Sequence, residues 1–94
     1  MIRSFRCGET KAVFELAGSR KFKAIEKPAL GRLLRLNAAT SLQDLAAIRG
    51  NRLEALAGNR KGQHSIRIND QYRICFVWNE KEKGADEVEI VDYH

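Results

Sequence analysis

With 94 residues, 44% of them hydrophobic and 31% charged, the chain can bury one modest core but not two, and its composition excludes wholesale disorder. Seventeen Lys and Arg against twelve Asp and Glu leave a net charge of +5, which favours a polyanionic partner, either nucleic acid or an acidic protein segment. Residues 1–8 lack the apolar run of a signal peptide and no segment is long enough to span a membrane, so a single cytoplasmic domain over residues 1–94 is expected, with no membrane partner.

Ile2, Ser4 and Arg6 alternate with Arg3 and Phe5 ahead of Gly8, the pattern of a short first strand. Residues 9–17 then set Val13, Leu16 and Ala17 at helical spacing, with Glu9 in the first turn and Gly18 as the stop. A basic joint at 19–23 leads into a second helix, on which Ile25, Ala29, Leu30, Leu33, Leu34 and Leu36 form one apolar stripe. Pro28 belongs in its first turn, where a missing N–H is tolerated, and Lys27, Arg32 and Arg35 fall on its solvated side. Ser41 to Asp44 resembles a capping box that opens a brief helical turn through Ala47. After a turn at Arg49, Gly50 and Asn51, residues 52–56 are a candidate second strand through Leu53 and Leu56.

The strongest pattern follows. Ile66 and Ile68 alternate with Ser65, Arg67 and Asn69, and Tyr72, Ile74, Phe76 and Trp78 alternate with Arg73, Cys75 and Val77. Shifting either strand by one residue would turn its apolar set to the wrong face, so the register follows from the pattern. A loop over 69–71 sets Ile68 opposite Tyr72, Ile66 opposite Ile74 and Arg67 opposite Arg73. Two arginines directly across a ladder repel one another by up to about 1 kcal/mol. They are either held ready for an anion or splayed apart over a solvated face.

Residues 79–86 read as a charged, solvated loop, and 87–94 as a last strand with Val88 and Ile90 alternating against Val91 and Tyr93. The order strand, helix, helix, strands argues an α+β fold: a small, mostly antiparallel sheet with two N-terminal helices packed on one face. Arg67 and Arg73 would then point to the open face. Cys7 and Cys75 fall in the expected strands without metal or redox spacing, as reduced thiols.

Two histidines, no carboxylate cluster and no phosphate-binding glycine pattern leave no metal site, no cofactor and little support for most enzyme classes. What remains is the concentration of Arg60, Lys61, His64, Arg67 and Arg73, together with the terminal Asp92, Tyr93 and His94. RNA is cleaved without metal when one group takes the 2′-hydroxyl proton, another protonates the leaving oxygen and cations stabilise the phosphorane between them. Histidine suits either proton role and arginine the charge role. Each residue also has an ordinary reading: a frayed terminal histidine, a strand tyrosine, a surface His64, an Asp92 paired with a nearby arginine.

The stretches 52–60, 62–69, 71–76 and 88–94, and less specifically 1–5, resemble the HigB-type toxins of bacterial toxin–antitoxin modules, within the RelE/ParE superfamily. The resemblance implies a RelE-like fold and a ribosome-dependent endoribonuclease, an mRNA interferase that inhibits translation and growth by cutting mRNA in the ribosomal A site. It implies that Arg73 stabilises the scissile phosphate and that His94, Tyr93 and Asp92 form a functional C-terminal triplet. By the same resemblance Arg60, Arg67 and Asn69 lie on the RNA-facing side, beside Lys61 and His64. The implied partners are the ribosome and mRNA and a helix-turn-helix antitoxin, through which alone operator DNA is reached. One departure is Ala57, where some members carry a lysine, and it implies a weaker or slower nuclease. The same superfamily includes toxins that bind DNA gyrase without cutting RNA, and a module acting only as co-repressor is a third alternative.

Overall fold

The structure, a computed structural model, describes residues 1–92; the expectations for Tyr93 and His94 lie outside the described residues. Among these, α1 (Gly8–Phe14), α2 (Glu26–Ala38) and α3 (Leu42–Ala46) precede β1 (Glu54–Ala55), β2 (His64–Arg67), β3 (Tyr72–Asn79) and β4 (Gly84–Asp92). The strands pair antiparallel in chain order, β1-β2-β3-β4. This is the expected α+β class, with each strand meeting its sequence neighbour through a local connection.

The hairpin has the register that the apolar pattern requires, with Ile66 opposite Ile74 and Arg67 opposite Arg73. Asn69 closes its turn: its Oδ1 accepts from the backbone N–H of Gln71 at 2.9 Å and of Tyr72 at 2.8 Å. Ile66, Ile74, Phe76, Val88 and Ile90 form the sheet side of the core, and Val13, Phe22, Ala29, Leu33, Leu36 and Leu45 come down on it from the helical layer. Phe22, inside the expected basic joint, is buried edge-on against Tyr72 with ring centroids 6.0 Å apart.

Several boundaries differ from the sequence reading for identifiable reasons. The second helix turns Ala29, Leu33 and Leu36 inward, and Leu34 is left 52% exposed because it lies one residue, about 100°, off that stripe. The first helix stops at Phe14, since Leu16 and Gly18 take left-handed backbone angles, φ 60° and 85°. The helix begins at Gly8, so Cys7 occupies its N-cap position, without a side-chain capping bond, and is not in a strand. The third helix is capped as expected, Asp44 N–H donating to Ser41 Oγ at 3.1 Å; the return bond to the Asp44 carboxylate comes from Thr40 N–H at 2.9 Å.

The expected first strand is reduced to two parallel bridges, Ile2 to Ala85 and Phe5 to Val88. It runs beside β4, where Arg3 N–H donates to the Ala85 carbonyl at 2.8 Å and Val88 N–H to the Ser4 carbonyl at 3.1 Å. Residues 84–86, expected as loop, open β4, and Ala85 is fully buried. The alternation was broken by a bulge: Cys75 faces Glu89 while Val77 faces Asp86, so β4 carries one extra residue, and Glu87 there has φ 52°. Ala85 and Val88, three apart, therefore both face the core.

Candidate nucleic-acid interface

Residues of odd number in β2 and β3 point away from the helices, and beyond the bulge Glu89 and Val91 join them. This face carries Ser65, Arg67, Arg73, Cys75 and Glu89. It is less open than two helices on one side would imply, because Ser65 and Cys75 are fully buried and Arg73 is only 8% exposed.

Arg73 is held in place by the fold. Its Nε–H donates to Ser65 Oγ at 2.7 Å, and its Nη2 donates to the Arg52 carbonyl and, at 3.4 Å, to the Ser65 carbonyl. Arg52 lies just past the 3₁₀ turn Arg49–Asn51 in a left-handed conformation, φ 44° and ψ 57°, which costs a non-glycine residue on the order of 1 kcal/mol. A strained backbone and a buried hydroxyl thus fix one guanidinium beneath the surface of the sheet.

Arg67, directly opposite, turns the other way and pairs with the exposed Asp70 carboxylate in the hairpin turn. The two arginines relieve their repulsion by splaying, yet Arg73 goes into the protein and not into solvent. Arg60 reaches the face from the 3₁₀ turn Gly58–Arg60, donating to Gln63 Oε1 at 3.0 Å and to Glu89 Oε2 at 3.3 Å. Arg6 meets the same carboxylate at 3.6 Å. Together Arg6, Asn59, Arg60, Gln63 and Glu89 line a polar depression of about 330 Å³. Beneath it, burial pushes the Cys75 thiol above its usual range, with Arg60, Glu89 and Arg73 close enough to act on it.

The remaining candidates are dispersed. Lys61 is exposed just beyond the same turn. Asn69 directs its side-chain oxygen at the hairpin backbone, a structural task. His64 pairs with Phe76 and so takes the helix side of the sheet, its ring stacked on Phe76 at 6.2 Å and its Nδ1 buried with no hydrogen-bond partner among the described residues. Asp92 pairs with Tyr72 at the exposed end of β4 and accepts from Gln71 Nε2 at 3.1 Å. Tyr93 and His94 lie outside the described residues. The structure therefore gathers Arg60, Arg67 and Arg73 on one face and sets His64 on the other.

Sequence reasoning missed Ser65, the Arg52 carbonyl and the Glu89 carboxylate. Parity alone places Ser65 on the face of Arg73 and His64 on that of Ile66, so both were available from the alternation; the left-handed Arg52 left no sequence signal.

Residues 3–94 match the family model described as the RelE-like toxin of type II toxin–antitoxin system HigB. Toxin HigB-1 of Vibrio cholerae serotype O1 (strain ATCC 39315 / El Tor Inaba N16961) is 47% identical over 55 residues, an alignment that spans 58% of each of the two chains. Among solved structures, a chain of the YoeB-YefM complex from Staphylococcus aureus superposes with a TM-score of 0.57 at 15% identity, covering 100% of this chain and 98% of that one. That likeness is one of fold.

Proposed function

Because the chain belongs to the HigB family of RelE-like toxins of type II toxin–antitoxin systems, we propose that it is an mRNA endoribonuclease that acts on translating ribosomes in the cytoplasm. The observation that carries this reading is the Arg67 and Arg73 pair on the face opposite the core, with Arg73 fixed by Ser65 and the Arg52 carbonyl. A fixed guanidinium stabilises developing phosphorane charge without reorganising at the moment of reaction, which is where electrostatic catalysis gains most.

In this reading the RNA 2′-hydroxyl loses its proton and attacks the adjacent phosphorus, the bond to the 5′-oxygen breaks, and that oxygen is protonated as it leaves. Arg73 stabilises the charge, His94 moves a proton, and Tyr93 and Asp92 support it. Neither step requires a metal ion. Arg60, Lys61 and Arg67 supply cations for the RNA backbone, and Asn69 shapes the turn that presents Arg67. His64 serves the sheet's other face and acts on the RNA only indirectly. A helix-turn-helix antitoxin neutralises the toxin and connects it to operator DNA.

Expression in cells, with growth followed and mRNA 5′ ends mapped, tests the reading. Growth arrest with new ends inside coding regions, both lost in Arg73→Ala, is the expected result. Arrest that persists in Arg73→Ala without new ends would overturn it and turn attention to gyrase; normal growth with the wild type would leave a co-repressor.

A further inference from the structure

A second group of arginines lies around the sheet edge from Arg73, and the chemistry above makes no use of it. Pro28, Gly31, Arg32 and Arg35 of α2, with Ile68 just past β2, line a cavity of about 220 Å³. Arg32 is anchored at its tip: Nη1 donates to Asn51 Oδ1 at 3.0 Å. Asn51 is itself fully buried and is fixed by donating Nδ2 to the Leu45 carbonyl at 3.1 Å. The guanidinium lies against Gly50, where a Cβ would come within 2.8 Å of Nη2. A solvated helix arginine has no need of a buried amide and a glycine gap.

The charge at this place is unbalanced. Burial and then the nearby Arg35 and Arg67 push Arg32 below the usual guanidinium range. Arg67 is already paired with Asp70, but Arg32 and Arg35 face each other with no carboxylate among the described cavity-lining residues, and a bound anion would offset their mutual repulsion.

We propose that Arg32 and Arg35, with Arg67 at the sheet edge, bind a backbone phosphate of RNA, and that Asn51 and Gly50 position Arg32 for it. The proposal rests on the ribosome-directed reading above and adds to it a site away from the scissile phosphate. Arg67 stands across the ladder from Arg73 and next in sequence to Ile68 of the cavity lining, with its guanidinium paired to Asp70. The small cavity suits one compact anion and not a protein helix, and the planar guanidinium fork suits phosphate.

The test is equilibrium binding to purified ribosomes across a salt series, with mRNA present or absent, using wild type, the Arg32→Gln/Arg35→Gln double variant and Gly50→Ala. Circular dichroism with thermal melting establishes that each variant is folded. One lost phosphate contact lowers the slope of log K against log salt by about 0.7 to 0.9 and weakens binding throughout the series. Gly50→Ala, which displaces the Arg32 tip, weakens binding in the same direction by less. Equal loss with and without mRNA assigns the phosphate to ribosomal RNA; loss confined to mRNA-loaded ribosomes assigns it to the transcript. Unchanged affinity and slope in the folded double variant overturn the proposal and leave the ribosome reading intact. Weakened binding of a cognate antitoxin, with ribosome binding unchanged, also overturns it and makes the cluster a protein interface. A wild type that does not bind ribosomes at all overturns both readings.

Discussion

Replacing Ser65 with alanine removes the Oγ that receives the Arg73 Nε–H at 2.7 Å. Ser65 is fully buried and Arg73 is 8% exposed, so water is poorly placed to substitute. A hydrogen bond to a charged group contributes about 1.5 to 3 kcal/mol, against about 1 kcal/mol for a neutral pair. A hydroxyl leaves little empty volume, so the cavity contribution is small. The Arg52 and Ser65 carbonyls still accept from Nη2, which favours the lower part of that range, and a destabilisation of about 2 kcal/mol is expected. Urea unfolding of wild type, Ser65→Ala, Arg73→Ala and the double variant isolates the pairwise term, expected at about 1 to 2 kcal/mol. If Ser65→Ala costs the same with and without Arg73, the hydroxyl does not hold the guanidinium, and the idea of a fixed Arg73 is wrong.

Other consequences follow from the same structure. Gly84→Ala would place a Cβ 2.6 Å from the Met1 carbonyl; pushing the N-terminal segment off β4 should cost about 1 to 3 kcal/mol in urea unfolding. The Asp44 carboxylate is held below its usual range mainly by the Thr40 backbone N–H and then by the Thr40 hydroxyl. A depressed folded-state pKa contributes stability above the unfolded value, about 3.9, that is lost as pH falls through the folded value. Melting temperature should thus drop with acid below about pH 4 by less in Asp44→Asn than in wild type, and identical acid limbs would show that the cap contributes nothing. Ala57 is exposed at the start of the 3₁₀ turn Gly58–Arg60, the position at which the family resemblance implied that a lysine could stand. Ala57→Lys should speed ribosome-dependent cleavage, and an unchanged rate would show that the missing cation is not limiting.

The parts of this fold legible in the sequence are those in which one period governs. The hairpin register followed from parity, because any slip would have put Arg67 and Arg73 in the core. The Ser41 cap followed from side-chain chemistry local to four residues. Parity failed in β4, where the bulge at Glu87 resets the faces within one strand and made 84–86 look like loop. It was not applied far enough at His64, two residues before Ile66 and hence on the same side. The candidate site was legible as a set of cations but not as an arrangement. What distinguishes Arg73 from Arg67 is a left-handed Arg52 and a buried Ser65, tertiary features that no periodicity announces. The same holds for Arg32, which on α2 reads as one more solvated charge until Asn51 and Gly50 arrive from the following turn.

In the proposed function this chain cuts mRNA on the ribosome and Arg73 carries the transition-state charge. A purified translation system, run with ribosomes present or absent, with wild type, Arg73→Ala and a chain lacking His94, tests it most directly. Cuts inside A-site codons that need ribosomes and disappear in both variants are the predicted result. Intact mRNA with the wild type on translating ribosomes, or cleavage by Arg73→Ala at the wild-type rate, would contradict it.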